Sequence, residues 1–150
     1  MKTAQIPQPL QYRIDILIFI DVSKALSEKT LKGYTFMMDN SPFRSQGQAS
    51  FQLQTRCVPQ QLLSWKVIGL DVQTPATICD ISFFQPDGTP ASKPSTPEIP
   101  DFRPEQNAWT GTVPPYMALN QPYRYKIDFQ MGRGDNSILS LESPSIIRVQ

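Results

Sequence analysis

The stretch Tyr123-Arg124-Tyr125-Lys126-Ile127-Asp128-Phe129-Gln130-Met131 alternates without a break. Tyr123, Tyr125, Ile127, Phe129 and Met131 share one parity, and Arg124, Lys126, Asp128 and Gln130 share the other. A period of two is that of a β-strand, because successive side chains leave opposite faces of a sheet. One apolar and one polar face predict a strand that covers a core on one side and meets water on the other.

The same period recurs outward from this segment. Between Tyr12 and Val22, Ile14, Ile16, Ile18 and Ile20 form one row, and Leu17 and Phe19 fall on the other. Both faces are apolar in the middle, so this strand is expected to be covered on both sides. Tyr34–Asp39 predicts a short strand, followed by the turn residues Asn40-Ser41-Pro42. Gln48–Thr55 predicts a half-buried strand with Ala49, Phe51 and Leu53 inward. Leu62–Leu70 aligns Leu63, Trp65 and Val67. Thr77–Phe84 places Cys79, Ile81 and Phe83 on one side, with Asp80 and Ser82 on the other. Trp109–Val113, stopped by Pro114-Pro115, and Ser145–Val149 complete the set.

A helix is expected only over Ser23–Lys32, with Ser23 or Ser27 as N-cap and Gly33 as stop. About eight short strands, divided by Pro, Gly, Asn and Asp, indicate an all-β, two-sheet antiparallel β-sandwich, immunoglobulin-like or jelly-roll. No repeat or boundary divides residues 1–150, and the length suits a single domain. Residues 1–11, polar and carrying Pro7 and Pro9, are expected to form an N-terminal arm.

Proline is abundant, at 15 residues, and six of these lie between Gln85 and Asn107. They are Pro86, Pro90, Pro94, Pro97, Pro100 and Pro104, opened by the turn Pro86-Asp87-Gly88. The 85–107 loop is unusually long for a compact fold. It is either functional or an extended connection covering a sheet edge.

Composition excludes several chemistries. There is no histidine, which removes Ser-His-Asp and Cys-His nucleophiles and His-ligated zinc. The net charge is +1 and the basic residues are scattered, which disfavours nucleic acid. No apolar run approaches the ~20 residues of a membrane-crossing helix. Met1-Lys2-Thr3-Ala4-Gln5 has no apolar region behind it, so a cytoplasmic location is expected. Cys57 and Cys79 read as two buried thiols, and a disulfide between them requires their strands to be neighbours. They form no metal motif, and no Asp-rich loop suggests calcium.

Asp15 and Asp21 share a strand parity but lie roughly 20 Å apart by strand rise. A glycosidase pair needs ~5–9.5 Å, so turn and capping roles suit them better. Neither a Gly-x-Ser-x-Gly nor a phosphate-cradling glycine loop is present. No catalytic residue, cofactor or metal ligand is therefore assigned. Arg133-Gly134-Asp135 spells an adhesion tripeptide at an expected hairpin tip, where plain turn chemistry accounts for it better. Trp65, Trp109, Tyr116, Tyr123 and Tyr125 either stack on sugars or fill the core. The candidate binding surface combines Trp65, Trp109 and Tyr116 with Asp80 and, from the Pro-rich loop, Asp101 and Arg103.

Several segments, in order, carry a resemblance to a known family. They are Ile14-Asp15-Ile16-Leu17-Ile18-Phe19-Ile20-Asp21, Tyr34-Thr35-Phe36-Met37-Met38, Gln46-Gly47-Gln48-Ala49 and Leu63-Ser64-Trp65-Lys66. Asn107-Ala108-Trp109, Tyr123–Met131 and Ser143-Pro144-Ser145-Ile146 follow. This series resembles the bacterial PixA/AidA inclusion-body protein family across residues 12–149. Val67-Ile68-Gly69-Leu70 and Leu141-Glu142-Ser143-Pro144 depart from its usual strings. The resemblance implies a bacterial β-sandwich with no catalytic site, associated with cytoplasmic inclusion bodies, quorum-regulated expression and host-associated lifestyles. The protein is accordingly expected to be a non-enzymatic homo-oligomer, or to bind a protein partner. A carbohydrate-binding module using exposed aromatics and the Pro-rich loop is the second reading.

Overall fold

The isoleucine row Ile14, Ile16, Ile18, Ile20 is fully buried and fixes the first strand, β1 (Ile14–Ile20). In the computed structural model, which describes residues 13–71, 73–91, 108–132 and 137–150, β1 is central to a four-stranded sheet. It pairs antiparallel with β2 (Thr35–Asp39) and parallel with β4 (Leu62–Gly69). β4 in turn pairs antiparallel with β6 (Ala108–Thr112), giving the order β2-β1-β4-β6.

The second sheet is built on β7 (Pro122–Met131), the alternating segment, whose five apolar residues are all buried. β7 pairs antiparallel along one side with β5 (Ala76–Phe83). Further antiparallel partners of β7 are β8 (Ile138–Leu141) at Ile127–Gln130 and β9 (Ser145–Arg148) at Pro122–Arg124. β9 also pairs parallel with β3 (Gln54–Cys57). The fold is the expected all-β two-sheet sandwich, but its sheets are mixed, each with one parallel pair. Parallel neighbours need long crossovers. Here the chain between β1 and β4 supplies a helix, β2 and a visit to the other sheet.

Trp65 of β4 joins the sheets. Its ring meets Phe83 of β5 at 6.0 Å and Tyr125 of β7 at 5.6 Å, both edge-on. Phe83 and Tyr125 lie 5.3 Å apart. Edge-to-face geometry places positive ring edges against negative ring faces and adds to the gain from burial. Burial pushes the Tyr125 phenol well above its ordinary range, and the neighbouring Trp65 indole offsets this only in part. Thr35 Oγ1, at the start of β2, is buried without a hydrogen-bond partner among the described residues.

Four local expectations are corrected. The helix, α1, runs Val22–Glu28 and is capped by Asp21, whose Oδ1 accepts the Lys24 N–H at 3.3 Å. Neither Ser23 nor Ser27 caps it. Lys29 takes φ 56° and donates its N–H to the Ala25 carbonyl, so the helix ends before Gly33.

The predicted strand at Gln48–Thr55 begins only at Gln54. Gly47 turns at φ 77° so tightly that a Cβ there would lie 2.6 Å from the Gln52 carbonyl oxygen. Ser50 Oγ donates to the Gly47 carbonyl at 2.8 Å, Ala49 adopts φ 63°, and Ala49 is exposed. The alternation there is that of a compact turn. Through it, Ala49 N–H bonds to Met37 O and Gln54 N–H to Gln46 O, so the turn lies along the edges of both β2 and β3. Covered edges do not template further strands.

In β5, a bulge between Ile78 and Asp80 changes the parity. Ile78 turns inward with Ile81 and Phe83, and Cys79 is exposed. Both cysteines are free thiols, and β3 and β5 lie at opposite ends of the strand order β3-β9-β7-β5. Only Cys57 fits the expectation of a buried thiol.

The Pro86-Asp87-Gly88 turn is present. Gly88 N–H bonds to Gln85 O at 2.8 Å, and Asp87 Oδ1 accepts the Thr89 hydroxyl at 2.7 Å and its amide at 2.9 Å. These bonds, the hydroxyl first, hold the Asp87 carboxyl below its usual range. The N-terminal arm, the remainder of the Pro-rich loop from residue 92 to 107, and Arg133-Gly134-Asp135 lie outside the described residues.

Candidate functional site

The outward face of the first sheet departs most from ordinary strand chemistry. Phe36, Phe19 and Ile68 stand side by side across β2, β1 and β4, and Met38, Leu17 and Lys66 form the next row. Below them come Asn40, Asp15 and Ser64. Leu17, Phe19, Met38 and Ile68 are half-buried, and Phe36 is 40% exposed. The sequence predicts cover on both faces of β1. Among the described residues the inner face is sealed and the outer face is only partly covered.

The lower part of this face is a groove of about 480 Å³, with Leu17 and Met38 as its apolar floor. Its rim is polar. Arg13 Nε pairs with Asp15 Oδ1 at 2.7 Å, and Asn40 Oδ1 accepts the Asp15 N–H at 2.8 Å. Lys66 is exposed on the same rim, with no ion pair among the described residues. An exposed ammonium on an aliphatic stem beside an apolar strip covers that strip while keeping its charge in water.

Asp39, at the end of β2, also borders the groove and ties the two sheets together. Its Oδ2 accepts the hydroxyl of buried Thr55 in β3 at 2.7 Å. Its Oδ1 accepts the Ser41 amide at 3.0 Å and the Gln48 amide nitrogen at 3.1 Å. A carboxylate with this many donors is a structural clasp.

The structure removes one member of the sequence-derived candidate surface, Trp65. Trp65 is 0% exposed and belongs to the core, so it offers no binding surface. It shares a parity with buried Leu63 and Val67. Tyr123 and Tyr125 are likewise buried. Tyr116 is 51% exposed in the segment after β6. Asp80 is half-buried on the outer face of the second sheet, opposite Asp128, and accepts a long bond from Ser82 Oγ at 3.4 Å. Lys126 Nζ lies 4.0 Å from Asp128 and Ser140 Oγ bonds to it, which offsets the like-charge pairing. Of Trp109 the structure describes the backbone, opposite Trp65. Asp101 and Arg103 lie outside the described residues.

Asp21 is spent on capping α1 and Asp15 on its ion pair with Arg13. No group of three or more His, Cys, Asp or Glu is placed to hold a metal among the described residues. No helix among them is long and apolar enough to cross a membrane. Sequence reasoning missed Phe36, Met38, Lys66 and Asp39. The available signal was the apolar outward pair Leu17 and Phe19, but the partner strands that complete the patch depend on register.

The strand order and registers describe a mixed two-sheet β-sandwich of PixA-like fold. The crystal structure of inclusion body protein (PixA) from Burkholderia cenocepacia J2315 is similar over 99% of this chain and 96% of that chain, with a TM-score of 0.57 at 13% identity. At that identity the likeness is one of fold. The chain belongs to the family described as Domain of unknown function (DUF8788), which matches residues 12–137. No curated protein matches it.

Proposed function

We propose that this protein is a non-enzymatic bacterial β-sandwich whose work is self-association, in the cytoplasm and within inclusion bodies. The observation that carries this reading is the half-exposed apolar set Leu17, Phe19, Phe36, Met38 and Ile68, held on a rigid sheet face. Contiguous apolar surface of this kind is costly to leave wet and marks association sites. Low charge favours the same outcome, since a net +1 imposes little repulsion between copies. The similar fold of the Burkholderia cenocepacia inclusion body protein points the same way.

The test is mass in solution by light scattering over a wide concentration range, with a glycan array on the same preparation. A mass rising above 17.0 kDa with concentration, and an empty array, are expected. A strict monomer at every concentration would overturn the reading. A monomer that bound glycans and lost them on Tyr116→Ala would replace it with the carbohydrate-binding one.

A further inference from the structure

We infer that two copies meet through the outward face of the first sheet about a two-fold axis running diagonally across the strands, through Phe36, Leu17 and Ser64. This rests on the self-association proposed above and specifies its geometry.

The registers lay the outward residues on a rectangular grid. Neighbouring strands are ~4.8 Å apart, and alternate residues along a strand are ~6.6 Å apart. One row is Phe36, Phe19, Ile68; the next is Met38, Leu17, Lys66; the third is Asn40, Asp15, Ser64. A symmetric dimer requires the patch to complement itself, and four two-fold axes through Leu17 can be compared.

An axis along the strands sets Asp15 on Asp15 of the second copy and Lys66 on Met38. An axis across the strands sets Asp15 on Phe19. The diagonal through Ile68 sets Asp15 on Met38 and Lys66 on Phe19. Each of these buries a charge against a like charge or an apolar side chain, which costs free energy without return. The diagonal through Phe36 sets Lys66 of each copy on Asp15 of the other, twice by symmetry. It also sets Phe19 on Met38 and Ile68 on Asn40, each twice, and leaves Leu17 and Phe36 each meeting its own counterpart. The two sheets then cross at roughly 70° on these spacings, nearer the orthogonal than the aligned way for sheets to pack face to face.

Charge complementarity thus selects a second copy as the occupant and selects this axis. Asp15 keeps its intrachain Arg13 at 2.7 Å and gains Lys66 of the second copy, a cation on the groove rim with no ion pair among the described residues.

The experiment is a charge swap read by sedimentation equilibrium. Lys66→Glu and Asp15→Lys, made singly, each place like charges together twice and are expected to weaken association by about tenfold or more. The double variant restores opposite charges and is expected to return within about threefold of wild type, a difference below 1 kcal/mol. Melting curves check that the variants remain folded. Single swaps without effect on a wild type that associates would overturn this interface while leaving self-association standing. Weakened singles without rescue in the double variant would overturn the diagonal axis. A monomeric wild type would instead remove the self-association reading itself.

Discussion

Cys57 is buried without a disulfide, and burial pushes its thiol from an ordinary 9.0 up to about 12, outweighing the contact with the Ile147 carbonyl. The folded state therefore keeps the proton where the unfolded chain has released it. The contribution of Cys57 to stability is fully present below pH 9 and is lost as pH rises toward 12, by at most about 1.4 kcal/mol per pH unit. Cys57→Ala is expected to flatten this loss in urea titrations at alkaline pH; an unchanged slope would contradict it. Exposed Cys79 differs. Partial burial, then Asp128 and Asp80, raise its pKa, so it should react slowly while Cys57 stays silent until the protein unfolds. Spacing alone could not tell the two apart, because a single bulged residue between Ile78 and Asp80 decides which side Cys79 occupies.

At the scale of the element, strict alternation was readable wherever a strand ran straight. Tyr123–Met131 and the isoleucine row of β1 appear as written, with every apolar residue of the first buried. Trp65 is the exception: its aromatic chemistry suggests a binding surface, whereas its parity with buried Leu63 and Val67 points to the core, where it lies. Alternation misled at residues 48–53, where the same pattern is built into a turn. The decisive fact there is Gly47, whose positive φ is open to other residues only at a cost and whose missing Cβ leaves room for the Gln52 carbonyl. Gly47→Ala is expected to destabilise the protein by more than about 1 kcal/mol, since it combines strain with a clash. Gly88, also at positive φ, has nothing within 4 Å of where an added Cβ would stand, so Gly88→Ala should cost less. Equal losses in chemical denaturation would refute this account of the turn.

The candidate site belongs to the whole molecule. Phe36 and Met38 looked like ordinary members of a short strand, and nothing in the sequence singles out Lys66 as a surface residue of interest. Only the pairing of β2 and β4 on either side of β1 gathers them with Leu17 and Phe19. That information is long-range, since β1 and β4 pair in parallel across an intervening helix and two strands. The edges beside β2 and β3 are covered by the turn at residues 46–50, and the face next to them is the surface proposed for association.

The most direct test of that claim is the solution mass of wild type and Phe36→Asp, measured side by side over the same concentrations. Phe36 is 40% exposed, so the variant should fold and melt like wild type. Wild type is expected to exceed 17.0 kDa as concentration rises, while Phe36→Asp stays at that mass. Equal association of the two proteins would contradict the assignment of this face.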